Sequence, residues 1–587
     1  MKIKVGMSSC GVSAGAGKVY RLLQAAEALK QRNIPVEQTG CLGMCYNEPL
    51  VEIADGSQRY VYGPVDEKGV AALVSQHVEQ GRPVADLLVF ATQGYTRHDS
   101  FFAKQKKIVL RRCGVIDPES IDEYLAAEGY KALKQVVSSM TSEDVVNEIK
   151  ASGLRGRGGG GFPTGLKWGF ARGYQSSKKY VICNADEGDP GAFMDRSTLE
   201  GDPHSILEGM AICAYAIGAD EGYIYIRAEY PMAIRKLRKA IADAEARGLL
   251  GAAILGTDFA FHIHIKEGAG AFVCGEETSL IASIEGKRGT PRIRPPFPAE
   301  SGLWGKPTNI NNVETYANIS WIILNGAAAF SAMGTSKSKG TKVFAMAGKV
   351  KRSGLVEVPM GISINEIVFD ICDGIQNDKQ FKAVQMGGPS GGCIPASLGD
   401  IAIDYESITA TGAIMGSGGL IVMDEDTCMV EVAKYFLEFT QKESCGKCTF
   451  CRLGTKRMLE ILTRITEGNG QEGDIDRLLE LGHRIKETSL CGLGQTAPNP
   501  VLSTIKYFRQ EYEAHIYLKK CPARSCKALI TYAIIPDKCV GCTACARVCP
   551  VNAISGRRKE LHTIDTAVCI KCGRCIDACK FGAVTKK

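Results

Sequence analysis

The chain has 587 residues, a length that predicts several domains. Its formal net charge of +7 is small for that length, and the sequence has no basic block with interleaved aromatic residues. Both observations argue against nucleic-acid binding. The sequence has no run of about 18 apolar residues, so no membrane-spanning helix is predicted. The first residues also lack the apolar segment of a signal peptide. The 24 cysteines are therefore expected in the reducing cytoplasm, as ligands rather than disulfides.

The first 88 residues predict a small α/β domain. KIKVGM has the pattern of a strand, residues 18–30 that of an amphipathic helix, and residues 50–53 and 60–62 that of further strands. Residues 89 to about 140 are expected to connect this domain to the next through a helical lead-in.

A glycine-rich α/β region is predicted from residue 141 to about 325, with strands at 179–183 and 223–227. Its loop GLRGRGGGGFPTGLKW matches G-x-G-x-x-G at Gly156, Gly158 and Gly161. That match alone is weak, and a flexible loop is the alternative. Glycines expose backbone N–H groups to an anion, and the loop also carries cations, so it predicts phosphate binding. These cations are Arg155, Arg157 and Lys167.

Acidic turns follow two apolar segments of the same region. NADEGDPG occupies residues 184–191, and GEET occupies residues 275–278. Carboxylates at the carboxyl end of a strand in an α/β sheet are placed to contact a ligand. Solvated turn residues are the alternative for any one of them.

Short strands and many glycines predict a small β-rich domain between residues 341 and 424. From residue 428 to about 516, the apolar residues recur with the spacing of a helix.

Within the helical part, Cys445-x2-Cys448-x2-Cys451 has the spacing typical of a [4Fe–4S] site. Cys491, 40 residues after Cys451, is the predicted fourth ligand. Zinc bound by the same four thiolates is the alternative.

The C-terminal segment carries two matched cysteine runs, which predict a two-cluster [4Fe–4S] ferredoxin domain. In such domains the fourth cysteine of each run binds the other cluster. One ligand set is therefore Cys539, Cys542, Cys545 and Cys579, and the other is Cys549, Cys569, Cys572 and Cys575. A zinc site or disulfides would not need eight cysteines in two matched runs.

A zinc site is predicted between the helical region and this tail. His515, Cys521 and Cys526 follow one another closely, and Cys428 is the candidate for the fourth ligand of a Cys3His site. Buried free thiols are the alternative.

Five segments resemble the NADH-oxidising flavoprotein subunit of respiratory complex I, over about residues 110–515. They are GLRGRGGGGFPTGLKW, NADEGDPG, GAGAFVCGEETSL, RPPFPAESGLWGKPTNINNVET and ESCGKCTFCRLG. The two ends resemble the beta subunit of soluble NAD(P)-linked hydrogenases and formate dehydrogenases. The resemblance implies a multidomain α/β protein with a thioredoxin-like domain (1–88), a Rossmann-like FMN/NAD(H) domain (89–335), a β-grasp domain (336–426), a helical-bundle [4Fe–4S] domain (427–520) and a ferredoxin domain (536–587). Residues 521–535, where the spacing of His515, Cys521 and Cys526 predicts the zinc site, form the linker between the last two.

The resemblance also implies the ligands of the flavin and the nicotinamide. The FMN positions are Gly156, Arg157, Gly158, Lys167, Asn184, Asp186, Glu187, Gly275, Glu276, Asn311 and Asn312. The NAD(H) positions are Phe162, Phe170, Asp189, Glu277 and Phe297. FMN accepts a hydride and releases single electrons, so no side chain is expected to act as acid or base.

Thioredoxin-like [2Fe–2S] domains carry C-x4-C followed by C-x3-C. This chain has Cys10, then Cys41 and Cys45, with Gly15 where the second cysteine is expected, and Ser9 or Ser13 would be a weak substitute for it. A [2Fe–2S] cluster and a docking domain that has lost its cluster are both left open.

The main hypothesis is an NAD(H)-reactive flavoprotein subunit of a multi-subunit oxidoreductase that exchanges hydride between NAD(H) and FMN. The resemblance implies electron bifurcation involving ferredoxin and a third couple, which is hydrogen, formate or NADPH. The expected partners are a small thioredoxin-like [2Fe–2S] subunit, a larger Fe–S catalytic subunit and soluble ferredoxin. The alternatives are a non-catalytic electron-transfer scaffold and the respiratory subunit itself.

Overall fold

The computed structural model describes residues 1–92 and 99–587. Residues 93–98 of the expected connector lie outside the described residues. In the described part of the chain, five β-sheets are present. No helix there is long and apolar enough to cross a membrane.

The N-terminal sheet has five strands, of which only the first two are parallel. Its elements are β1 (Lys2–Gly6), α1 (Ser9–Ala14), α2 (Ala16–Ala25), α3 (Glu27–Gln31), β2 (Val36–Thr39), β3 (Val51–Asp55), β4 (Gln58–Tyr62), α4 (Glu67–Ala72) and β5 (Leu88–Ala91), in the spatial order β2-β1-β3-β4-β5. The single helix expected at 18–30 is divided, because Ala26 adopts an extended backbone with ψ 117°. Strand β5 continues the sheet beyond the expected boundary at residue 88.

The central region is a parallel four-stranded sheet covered by helices. Its elements are α5 (Asp99–Ala103), α6 (Ile121–Ala126), α7 (Lys131–Ser139), α8 (Ser142–Ser152), α9 (Thr164–Gly173), β6 (Tyr180–Ala185), α10 (Met194–Gly201), α11 (Pro203–Ile217), β7 (Glu221–Arg227), α12 (Pro231–Ala246), β8 (His262–Gly268), α13 (Glu277–Ile284), β9 (Thr308–Asn312), α14 (Val313–Asn325) and α15 (Ala327–Ser331). The spatial order is β8-β7-β6-β9. The chain runs outward from β6 through β7 to β8 and returns on the other side to β9, so β6 and β9 flank a topological switch point.

The β-rich region forms a mixed five-stranded sheet. Its elements are β10 (Thr341–Gly348), β11 (Gly354–Pro359), β12 (Phe381–Met386), β13 (Gly392–Pro395), α16 (Tyr405–Thr411) and β14 (Gly419–Asp424), in the order β11-β10-β14-β12-β13. Its apolar core also contains Met44 and Leu50 of the N-terminal region and Phe101 of α5, so both pack directly against it.

Helices follow, and then the small C-terminal domain. The helices are α17 (Met429–Lys442), α18 (Thr455–Thr466), α19 (Asp474–Thr488), α20 (Gly492–Thr496) and α21 (Asn499–Ile516). On α17, Met429, Ala433 and Leu437 are buried on one face, as the helical period predicts. The last elements are β15 (Tyr532–Ile534), α22 (Ala544–Arg547), β16 (Ile554–Ser555), β17 (Thr563–Ile564), α23 (Arg574–Ala578) and β18 (Val584–Lys586).

Candidate flavin site and metal centres

A cleft of about 870 Å³ opens at the carboxyl edge of the parallel sheet, beside β6 and β9. Open α/β sheets bind ligands at this place, and the volume suits a small molecule. We call it the switch-point cleft. Eight of the residues expected to contact FMN or NAD(H) line it: Gly158, Asn184, Asp186, Glu187, Asp189, Gly275, Glu276 and Asn312.

The β-rich region closes the cleft from the opposite side. Tyr405 donates a hydrogen bond of 2.8 Å from its hydroxyl to the carbonyl of Gly156, and its ring stacks on the Arg155 guanidinium at 4.1 Å. Gly161 has φ +60°, and a Cβ there would lie 2.6 Å from the Tyr405 ring, so only glycine suits this position. Tyr405 and the other lining residues from this region were not predicted from the sequence, although the glycine-rich runs MGGPSGG and MGSGG are a signal for them.

Hydrogen bonds hold the polar wall of the cleft rigidly. The Asn184 amide donates to the carbonyl of Gly275 at 2.9 Å, which joins the two acidic turns. Glu187 accepts from the backbone N–H groups of Asp195 and Arg196 and thereby caps α10. The Asn312 amide donates to Asp195, a lining residue that the sequence analysis missed.

The carboxyl groups of this wall are poorly solvated. Burial raises the pKa of Asp186 to about 7 and that of Asp189 to about 6. Burial and the neighbouring Glu187 raise the pKa of Asp195 well above its usual range. Asp186 Oδ2 is buried without a hydrogen-bond partner among the described residues, so this oxygen can meet a donor on a bound ligand. Asp189, which is expected to contact the nucleotide, lines the cleft and accepts a hydrogen bond of 3.0 Å from Ser417.

The side chains of Arg157 and Lys167, which are expected near the FMN phosphate, contact protein groups in this structure. Arg157 is fully buried, and its guanidinium donates to the backbone carbonyls of Thr341, Lys339 and Arg155. Its side chain therefore holds the glycine-rich loop against the β-rich region, and its place at the FMN site stays a prediction. Lys167 forms an ion pair with Glu277 and does not line the cleft. Gly156 and Asn311 also lie outside the cleft lining; Asn311 accepts a hydrogen bond from the Trp168 indole.

Four of the five residues expected to hold NAD(H) lie outside the cleft lining, and the three phenylalanines among them are exposed; the fifth, Asp189, lines the cleft. Phe162, Phe170 and Phe297 are 50%, 55% and 55% exposed, which is unusual for phenylalanine. The rings of Phe162 and Phe170 have centroids 6.5 Å apart, and the Arg294 guanidinium lies 5.9 Å from the Phe297 ring. Glu277 connects the two halves by contacting both Lys167 and Arg294. We call these residues the aromatic patch.

The first predicted cubane site lies directly behind the cleft. Cys445, Cys448, Cys451 and Cys491 belong to one packed cluster of side chains. The Cys448 thiol accepts an N–H hydrogen bond from Leu490 at 3.4 Å. Gly492 and Leu493, which follow Cys491, line the cleft itself. The cleft wall and the cysteine loop are therefore continuous.

The tail separates its eight cysteines into the two crossed sets. One small cavity is lined by Cys539, Cys542, Cys545 and Cys579, and another by Cys549, Cys569, Cys572 and Cys575. The fourth cysteine of each run accepts an equivalent N–H···S hydrogen bond: Ala553 donates to Cys549 at 3.2 Å, and Ala583 donates to Cys579 at 3.3 Å. This internal symmetry suits two cubanes, each of which takes its fourth ligand from the other cysteine run.

Cys428, His515, Cys521 and Cys526 form a buried group whose ligand atoms all lie within 4.8 Å of one another. Cys428 Sγ lies 3.7 Å from Cys526 Sγ and 3.4 Å from His515 Nε2. A tetrahedral ion with metal–sulfur bonds of about 2.3 Å would separate two thiolates by about 3.8 Å. The bond of 2.6 Å between His515 Nδ1 and the carbonyl of Glu511 leaves Nε2 free as a metal ligand.

In the N-terminal region, Cys41 Sγ lies 3.9 Å from Cys45 Sγ, and the Cys10 thiol lies near Cys45. The neighbouring Cys45 thiol, together with the charge of Arg196, lowers the pKa of Cys10 to about 7. Gly15, at the position expected for a fourth cysteine, ends helix α1 with φ 108°.

Comparisons with known proteins follow the same division of the chain. A model described as the Nuo51 FMN-binding domain matches residues 149–321. The NADH-ubiquinone oxidoreductase-F iron-sulfur binding region matches residues 431–515, and a 4Fe-4S dicluster domain matches residues 538–583. The chain is 62% identical over 484 residues to the NADP-reducing hydrogenase subunit HndC of Solidesulfovibrio fructosivorans, covering 82% of this chain and 98% of the relative. The chain belongs to the Nuo51 family of FMN-binding oxidoreductase subunits.

More distant Nuo51 relatives match the same central part. An NADH-quinone oxidoreductase subunit of Escherichia coli (strain K12) is 42% identical, covering 68% of this chain and 90% of the relative. A crystal structure of an NAD+-reducing [NiFe]-hydrogenase in the H2-reduced state is 31% identical with a TM-score of 0.63, covering 88% of this chain and 84% of that one. The expected family and the multidomain α/β organisation are confirmed, whereas the individual domain boundaries and site residues stay predictions.

These matches establish the class of protein. The chain is an NAD(P)H-linked oxidoreductase subunit of a multi-subunit assembly similar to hydrogenases and complex I, with an FMN-binding domain and [4Fe–4S] domains.

Proposed function

We propose that this Nuo51 subunit exchanges hydride between NAD(H) and FMN and passes single electrons to its iron–sulfur clusters, within a cytoplasmic electron-bifurcating complex. The observation that carries the proposal is the continuous wall from Asp186 and Glu276 to Gly492 and Leu493, beside Cys491. Bound FMN supplies the exchange between hydride and single-electron chemistry.

The residues of this chain would divide the work. The switch-point cleft would hold the flavin between the glycine-rich loop and the rigid amide and carboxylate wall. The aromatic patch would hold the nicotinamide nucleotide, since exposed phenylalanines offer apolar faces for stacking. Closure of the cleft by Tyr405 supports exclusion of water from the reacting atoms.

The wider electron route is also proposed. The Cys445 set would accept electrons from the flavin site, and the tail clusters would exchange them with soluble ferredoxin. Hydrogen, formate or NADPH chemistry would belong to a larger Fe–S subunit, with a small thioredoxin-like [2Fe–2S] subunit completing the assembly. HndC, named as a subunit of an NADP-reducing hydrogenase, supports this arrangement.

Zinc is proposed for the Cys428 group. Its ligand spacing fits one tetrahedral ion. The hydrogen bond from His515 Nδ1 to the Glu511 carbonyl keeps the proton on Nδ1 and leaves Nε2 to bind the metal. The site would fasten the segment after α21 to the start of α17.

Anaerobic addition of NADH to the purified full-length chain tests the flavin assignment. The flavin absorbance should bleach, and the EPR signals of reduced clusters should follow. In Cys491→Ser, bleaching should persist while reduction of the first cluster is lost. A flavin that NADH does not bleach would exclude the proposed reaction and leave the electron-transfer scaffold.

A further inference from the structure

The three thiols of the N-terminal region need one more ligand to hold a pair of irons. A [2Fe–2S] cluster takes four protein ligands, two on each iron. The backbone at Gly15 offers no side chain for this purpose. A suitable group lies on the other side of Cys10.

Glu48 is only 9% exposed and lies beneath the helical turn that carries Cys10. Its Oε2 atom accepts the N–H of Leu50 at 3.0 Å and lies 3.0 Å from the place where a Cβ would stand on Gly11, the residue after Cys10. Its Oε1 atom is buried and has no hydrogen-bond partner among the described residues. A buried carboxylate with an unpartnered oxygen is costly unless a cation or donor meets it.

Two further buried polar atoms near Cys10 lack hydrogen-bond partners in the described part of the chain: Ser8 Oγ and Arg196 Nε. Arg196 Nη2 lies 3.9 Å from Cys10 Sγ. The backbone N–H of Arg196 is bonded to Glu187 of the switch-point cleft. One residue therefore contacts both the thiol site and the wall of the cleft.

The spacing of the thiols favours two metal atoms over one. The distance of 3.9 Å between Cys41 Sγ and Cys45 Sγ fits two thiolates on one tetrahedral iron, which would lie about 3.8 Å apart. Among the described residues, the three thiols do not form a group with all ligand atoms within 4.8 Å, whereas the Cys428 group does. A single zinc ion therefore fits the N-terminal site less well than a two-iron cluster.

We propose that Glu48 is the fourth ligand of a [2Fe–2S] cluster in the N-terminal region. Cys41 and Cys45 would bind one iron, and Cys10 together with Glu48 Oε1 would bind the other. The site would then be a three-thiolate, one-carboxylate variant of the all-cysteine pattern.

Iron analysis and EPR spectroscopy of the full-length chain test this assignment. The chain should contain about 14 irons, of which three cubanes account for about 12. Glu48→Gln keeps the shape and an acceptor for Leu50 but is a poor iron ligand, so about two irons and the [2Fe–2S] EPR signal should be lost. Glu52→Gln, at a buried carboxylate paired with Arg59, is the matched control and should keep both.

Glu48→Cys gives a second test that does not require loss of the cluster. It should retain the irons and shift the g values towards those of an all-thiolate cluster, with flavin content unchanged. About 12 irons in the unmodified chain, zinc in place of the extra iron, or an unaltered EPR spectrum in both Glu48 variants would overturn the proposal.

Discussion

Cys521→Ser should remove the zinc and release the C-terminal segment from the helical domain. Cys428 and Cys526 are 98 positions apart in the sequence, so the metal closes a very long loop. In the chain-entropy model, that cross-link stabilises the folded chain against global unfolding by about 4.7 kcal/mol. Local release of the segment instead costs the metal–ligand bonds, whose binding free energy is about 10–16 kcal/mol in zinc-finger peptides. The apolar anchor beside it is Leu529, and burial of one leucine contributes about 2 kcal/mol. The metal is thus expected to hold the segment more strongly than its apolar contacts do.

Limited trypsin digestion measures this release, because Lys519 and Lys520 are exposed and directly precede Cys521. When the segment opens and closes faster than trypsin cuts, the cleavage rate is proportional to the population of the released segment. Loss of several kcal/mol of stabilisation by zinc should therefore raise the cleavage rate by at least about a hundredfold. Zinc content should fall by about one ion per chain, while cluster absorbance persists. Pro522→Ala, at an exposed position of the same segment, removes no ligand atom, so it should keep the zinc and change the cleavage rate little. The reasoning fails if Cys521→Ser retains zinc, or loses it without faster cleavage.

Three further outcomes follow from the cleft and the aromatic patch. Gly158→Ala would place a Cβ 3.0 Å from Asn312, so FMN content after purification should fall, whereas Gly173→Ala, with open space around it, should bind FMN normally. Burial raises the pKa of Asp186 from 3.8 to about 7, so its contribution to folding stability falls as pH rises between these values. Since the charged form repels anionic FMN, affinity measured by flavin fluorescence should decrease from pH 6 to pH 8, and Asp186→Asn should flatten that decrease. Phe297→Ala should raise the KM for NADH about two- to tenfold with flavin content unchanged, because it removes one stacking face; an unchanged KM would exclude Phe297 from nucleotide binding.

Features that depend on residues close together in the sequence were predicted more accurately than contacts between distant residues. Cysteine spacing depends on local chain geometry, so the grouping of Cys539 with Cys579 could be anticipated from the repeat alone, and the structure places them at one cavity. The side chain of Arg157 could not be assigned in this way. Its charge and loop context suit phosphate, yet the backbone carbonyls of Thr341 and Lys339 accept its hydrogen bonds and hold it away from the cleft.

The sequence alone determined the family, the iron–sulfur character and the flavin region, because these depend on residue types at short, regular spacings. Only the tertiary structure decided which distant residues meet. It brought Tyr405 against the glycine-rich loop and Glu48 beneath Gly11, and it placed Cys428, which the sequence offered only as a candidate, against His515. Such contacts arise from the packing of separate sheets and helices around shared apolar cores, and no spacing along the chain encodes them.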